Sequence, residues 1–201
     1  MGKAAALKAI SMMRSQIFST VLLAIFISSV SPFRTTTPRG LHFYDSDISE
    51  FVGTPLPIWT YNSSSSVNTT CQVDLMVNMS RSHIVFNRWR YYNKTRRSSL
   101  WDGKFEGMLN TMLVGGLEMP VTYTEWMVYE SPDYQCAVIS VSLTSTGSPW
   151  YELRVRNSSI TQGPNKGCED TFMQYAHNGT RRYWDHCQSI FRQENHSRRS
   201  T

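Results

Sequence analysis

The stretch Tyr123-Thr124-Glu125-Trp126-Met127-Val128-Tyr129 sets a carboxylate among aromatic and sulfur-bearing side chains. In an extended chain, residues two apart share a face. Tyr123, Glu125, Met127 and Tyr129 therefore form one set, and Thr124, Trp126, Val128 and Glu130 the other. If the first set is buried, Glu125 is an acid that loses its hydration and needs a partner. A ligand ammonium would compensate it, and the tyrosine rings would add cation–π attraction. If the second set is buried, Glu125 is a solvated surface charge. A second acid stands in Tyr151-Glu152-Leu153-Arg154-Val155-Arg156. There, simple alternation sends Tyr151, Leu153 and Val155 inward and Glu152 outward with both arginines.

No pattern of catalysis surrounds these acids. The chain has no nucleophile elbow, no His-Glu-x-x-His and no glycine-rich phosphate loop. Its five histidines are scattered, with His42, His177 and His196 in loop, helix-end and tail contexts. None of the four cysteines, Cys71, Cys136, Cys168 and Cys187, forms a Cys-x-x-Cys pair, so neither zinc nor thioredoxin chemistry is indicated. The expectation is a binding protein, not an enzyme, without metal or cofactor.

The start of the chain bounds where it works. Lys3, Lys8 and Arg14 precede the apolar run Ile17–Ile27, and the small residues Ser28, Ser29 and Ser31 follow. That order is a secretory signal peptide, placed at 1–31. The run is well short of the roughly 20 apolar residues that span a bilayer, so no membrane anchor is expected. The formal net charge is +5, and the signal carries three of the basic residues and no acid. What remains is near +2, too little for a nucleic-acid binder. An even cysteine count in a secreted chain implies two disulfides, with three possible connectivities. Seven Asn-x-Ser/Thr sequons fit a secreted glycoprotein and place Asn62, Asn68, Asn78, Asn93, Asn157, Asn178 and Asn195 on the surface.

These residues must be positioned by the elements around them. Residues 32–44 read as a mobile segment, 45–190 as one domain and 191–201 as a basic tail. Asp47 can cap a short helix running to Phe51, which Pro55 and Pro57 stop. Period two then holds to Arg156. Ile58–Tyr61 is a short strand, and in the next Cys71, Val73, Leu75, Val77 and Met79 alternate with Gln72, Asp74, Met76 and Asn78. His83–Tyr92, Val121–Glu130, Cys136–Thr144 and Trp150–Arg156 follow. Asp102-Gly103 and Gly115-Gly116 are turn signals. Cys168, Phe172, Tyr175 and Ala176 recur at helical spacing, and Asn178-Gly179 supplies a stop. About eight antiparallel strands and one late helix predict an all-β, eight-stranded up-and-down barrel with a helix packed on its wall. Such a barrel has room for one small ligand.

Trp59-Thr60-Tyr61 before the first cysteine, Tyr129-Glu130-Ser131 leading to Cys136-Ala137-Val138-Ile139, Tyr151-Glu152-Leu153, and Cys168 followed by Phe172 and Tyr175 stand in a familiar order. In these features the chain resembles the tick salivary lipocalins, the histamine-binding-protein-like group, from about Asp45 to Cys187. The usual lipocalin Gly-x-Trp signature is missing, because Gly53 and Trp59 lie too far apart.

The resemblance implies the pairings Cys71–Cys187 and Cys136–Cys168. It implies an inward Glu125, Tyr123 as an aromatic ligand contact, Tyr61 at the barrel mouth and Glu152 lent to the pocket. An inward Glu152 would bring Arg154 with it, which would also suit an anionic group. The function it implies is a secreted monomer that sequesters a small host mediator to suppress inflammatory defence. A biogenic amine, histamine or serotonin, comes first and a lipid mediator such as a leukotriene or fatty acid second. A protein-binding role on the outer loops, for instance toward a complement component, is the alternative of another class. Ala137, where amine binders of the group often carry an acid, departs from the pattern.

Overall fold

The computed structural model describes residues 46–145 and 147–192; the expected signal peptide, the segment 32–44, Asn195 and the tail from residue 193 lie outside them. Eight strands follow one another: β1 Ile58–Ser63, β2 Thr69–Met79, β3 His83–Tyr92, β4 Thr95–Lys104, β5 Thr111–Gly116, β6 Val121–Glu130, β7 Cys136–Leu143 and β8 Trp150–Arg156. Each pairs antiparallel with the next, and β1 pairs with both β2 and β8. The sheet is therefore a closed up-and-down barrel, which leaves no long edge to aggregate. A two-residue strand β9, Thr180–Arg181, adds to the end of β1.

Among the described residues two α-helices complete it. Helix α1, Ile48–Val52, begins at Asp47, whose carboxylate accepts from the Ser49 N–H at 2.8 Å. Its Ile48 and Phe51 are wholly buried and plug one end of the barrel. Helix α2, Lys166–Tyr175, begins at Asn165, whose side chain accepts from the Cys168 N–H at 3.0 Å. It lies on the outer face of β6 to β8, where the disulfide Cys136–Cys168 pins it. Cys71–Cys187 ties a C-terminal 3-10 turn, Asp185–Phe191, back to β2. Asp102-Gly103, expected as a turn, lies inside β4. Gly103 is there for close approach, since a Cβ would meet the Met112 sulfur at 2.5 Å and Ile84 at 2.9 Å.

The described residues form two apolar cores, one on each side of the barrel wall. The inner one combines α1 with Ile58, Ile84, Phe86, Met112, Val114, Met127, Ala137, Ile139 and Val141. The outer one fills the space between the barrel wall and the C-terminal elements with Trp59, Val73, Val138, Leu153, Val155, Phe172 and Ile190. Burying one such side chain contributes about 1.5–3 kcal/mol, so both wall faces recruit apolar residues. Alternation in β2 and β8 is consequently inverted. Val73, Tyr151, Leu153 and Val155 belong to the outer core, while Gln72, Asp74, Glu152 and Arg154 point into the lumen.

In β6 the period itself slips. The register runs Met127↔Ile139 and then Tyr129↔Val138, leaving Val128 as a bulge. An added residue reverses parity beyond it. Met127 faces the inner core, whereas Val128 and Tyr129 join the outer one. Tyr129 thus leaves the set expected to contain it. Glu130 then stands opposite Ala137, an inner-core residue, at the end closed by α1.

Candidate functional site

The lumen is divided by charge. Arg88 from β3 donates to both Asp74 oxygens at 2.7 Å each and to Glu125 at 3.2 Å. Arg154 from β8 grips Glu125 with two nitrogens, at 2.6 and 3.0 Å, and reaches Glu152 at 2.9 Å through Nε. Fork-to-carboxylate pairs of this kind are the strong ones among hydrogen bonds. The Arg88 guanidinium also lies over the rings of Phe86 at 5.2 Å and Trp101 at 5.7 Å.

Glu125 is fully buried at the centre of this cluster. Burial pushes its pKa up, but Arg154 and then Arg88 outweigh that and hold the carboxyl down at about 2. Both guanidiniums are in turn held above their ordinary value by these carboxylates, against the effect of burial. Glu125 therefore faces inward, as one of the two sequence readings has it. Its partners in the structure are protein arginines, which compensate its charge without a ligand ammonium.

Above the cluster a pocket of about 820 Å³ opens at the end away from α1. Its lining includes Thr60, Gln72, Arg90, Tyr123, Trp150 and Glu152, with the serine-rich β1–β2 connection at the rim. Glu152 links pocket and cluster. It accepts from the Trp150 indole at 3.1 Å, from Arg154, and from Thr60 at 3.4 Å, whose hydroxyl accepts in turn from Gln72 at 3.1 Å. Tyr123 meets Trp150 edge-on at 5.8 Å and Trp101 at 5.6 Å. Three carboxylates (Asp74, Glu125, Glu152) meet two guanidiniums (Arg88, Arg154), so the cluster keeps one negative charge. Glu152 is the member that borders the pocket.

Of the expected site residues, the structure brings Tyr123 and Glu152 together on the pocket wall, with Glu125 beneath them. Tyr61 lies elsewhere. It stacks on Tyr183 at 6.1 Å beside the outer core, with the Arg181 guanidinium over its ring at 4.9 Å. Its placement at the barrel mouth is corrected: Tyr61 sits where the β1–β8 register shifts between Thr60 and Asn62, and its ring packs against the outer core. Asp74, Arg88, Thr60 and Gln72 were not anticipated. The signal for Arg88 was its parity with Ile84 and Phe86 in β3, which puts a cation on an apolar face.

The sequons are unevenly placed. Asn68, Asn78, Asn93 and Asn178 are exposed and Asn62 is half-buried. Asn157 is half-buried too, and its Oδ1 accepts from the Trp59 indole and from Gln188, both at 2.8 Å. Cys71, His186 and Cys187 lie within metal-ligand spacing. Their sulfurs form the disulfide and cannot serve as the thiolates a metal would take.

No protein-family model matches the chain, and no curated protein sequence does. Solved structures do. The serotonin complex of AM182 has a TM-score of 0.56 at 17% identity, over 71% of this chain and 92% of that one. Japanin from Rhipicephalus appendiculatus, bound to cholesterol, has a TM-score of 0.49 at 11% identity, over 64% of this chain and 91% of that one. The siderocalin Ex-FABP has 0.46 at 12%, over 61% and 84%. The likeness to AM182 is one of fold: this chain is a lipocalin-type barrel.

Proposed function

We propose that the chain is a secreted lipocalin that sequesters a small amine, histamine or serotonin being the leading candidates, in the pocket above the charge cluster. One observation carries the reading: Glu152 is the acid that lines the pocket, hydrogen-bonded to the Trp150 indole, whose ring meets Tyr123 edge-on on the same wall. An ammonium there gains a charge-assisted hydrogen bond and cation–π attraction together. Glu125 acts one layer down, holding Arg154 and through it Glu152, and does not touch the ligand. Trapping is stoichiometric, as suits a saliva protein that removes a host mediator, the role implied by the tick-lipocalin resemblance. The fold match to a serotonin complex agrees with it.

Isothermal calorimetry tests this. A hydrogen bond to a charged group is worth about 1.5–3 kcal/mol, and each 1.4 kcal/mol is tenfold. Glu152→Gln is expected to weaken histamine or serotonin binding by roughly ten- to a hundredfold. Glu169→Gln, exposed on α2, is expected to leave it unchanged. A wild-type protein that takes up leukotriene but neither amine would overturn the reading. So would a Glu152→Gln variant that binds amines as the wild type does.

A further inference from the structure

The pocket carries a second charged feature that the amine reading leaves unused. Arg90 lines its wall, and Arg97 stands directly opposite Arg90 in the β3–β4 ladder. Directly opposed residues share a face with Cβ atoms about 4.5–5.5 Å apart, and like charges there destabilise the sheet. Neighbouring arginines are otherwise engaged. Arg96 lies over the Trp89 ring at 4.4 Å and donates to the Arg192 carbonyl, while Arg182 donates to the carbonyls of Thr69 and Ser65. Among the described residues the ion pairs are those of Arg88, Arg154 and Lys166, and no hydrogen bond joins the Arg90 or Arg97 guanidinium to another group. The one carboxylate bordering the pocket, Glu152, is already held by Arg154.

We propose that Arg90 and Arg97 form an anion subsite at the pocket mouth, so that the ligand class best matched is bipolar, with an ammonium at Glu152 and a carboxylate, sulfate or phosphate at the arginine pair. The ammonium half rests on the function proposed above; the anion half rests on the arginines alone. Strands β1 and β2 separate β8, which carries Glu152, from β3, which carries Arg90. At about 4.8 Å per strand, the strands that carry the two poles are about 14 Å apart across the sheet, a span for an extended small molecule. An anion between the guanidiniums would offset their mutual repulsion, and two planar donor forks suit an oxyanion better than ammonium groups would.

Calorimetry with 8-aminooctanoate, octylamine and octanoate at low salt separates the two halves. The wild type is expected to bind 8-aminooctanoate at least tenfold more tightly than octylamine, and to lose that advantage in Arg90→Gln while octylamine affinity holds. Arg97→Gln should act in the same direction, and Arg90→Lys should restore part of the effect. Thermal melts of ligand-free Arg90→Gln should match or exceed the wild type, because one like charge is gone, which excludes simple misfolding. If octanoate binds and Arg90→Gln weakens it while octylamine does not bind at all, the anion subsite stands and the amine reading alone fails. If the ratio of 8-aminooctanoate to octylamine is unchanged in Arg90→Gln, or if none of the three probes binds, the subsite is refuted.

Discussion

Arg154 and Glu125 meet as a two-pronged ion pair within the barrel, 2.6 and 3.0 Å between charged atoms, with Glu125 wholly out of solvent. Removing one partner of such a pair strands the other charge in a poorly polarisable interior, at a cost of about 3–5 kcal/mol. Glu125→Gln and Arg154→Met should each lose about that much in urea unfolding. The double variant should lose less than the sum, because it removes both charges at once. Unchanged midpoints in the single variants would show that the pair contributes nothing.

The pH dependence should have two opposed limbs. Glu125 has its pKa depressed from 4.5 to about 2, so its stabilisation is complete above 4.5 and is lost as pH falls from there through 2. Glu130 behaves oppositely. Burial raises its pKa to about 7; Arg156 opposes the rise, and Glu50 and Asp47 add to it. Between 4.5 and 7 the folded state holds more protons at this site, so stability falls as pH rises across that window. Urea titrations from pH 2 to 8 should show both limbs, and Glu130→Gln should abolish the upper one only.

The disulfides should be separable in effect. Cys71–Cys187 spans 116 residues and Cys136–Cys168 spans 32. In the chain-entropy picture, replacing the first pair with alanines should cost about 4–5 kcal/mol and the second about 3–4 kcal/mol. Non-reducing peptide mapping should find these two bridges. A different pairing would contradict the placement of α2 and of the C-terminal turn alike.

Glycosylation can be told from structure at Asn157. Secreted protein from insect cells should lose several kilodaltons on glycosidase treatment, as the exposed Asn68, Asn78, Asn93 and Asn178 suggest. Asn178→Gln should leave the melting temperature where it is. Asn157→Ala removes the acceptor of the buried Trp59 indole and should cost about 1–3 kcal/mol with or without the glycan. Equal melts for the two variants would refute that role.

Local chemistry made much of this molecule legible. Six of the eight strands follow from period-two runs broken by turn residues, and α1 from the Asp47 cap and the prolines after it; β4 and β5 do not, since Asp102-Gly103 and Gly115-Gly116, expected as turns, lie within them. A helix after the last strand follows from the spacing of Cys168, Phe172 and Tyr175. Orientation was not legible, because alternation reports a difference between two faces and cannot say which is inside. Here the C-terminal elements cover much of the outer wall, so Leu153 and Val155 are apolar for the sake of α2 and the segment after it, while Glu152 and Arg154 turn inward. The bulge at Val128 reversed parity within one strand and sent Tyr129 outward, with no residue type to mark it. Arg88 sits 37 positions from Glu125 in sequence, and Arg154 sits 29; closing the barrel is what brings them within hydrogen-bonding distance. That Glu125 is inside could be proposed from its neighbours in the chain. That two arginines already hold its charge, and that Glu152 rather than Glu125 borders the pocket, only the tertiary structure decided, because charge compensation in a buried cluster depends on partners that distant strands supply.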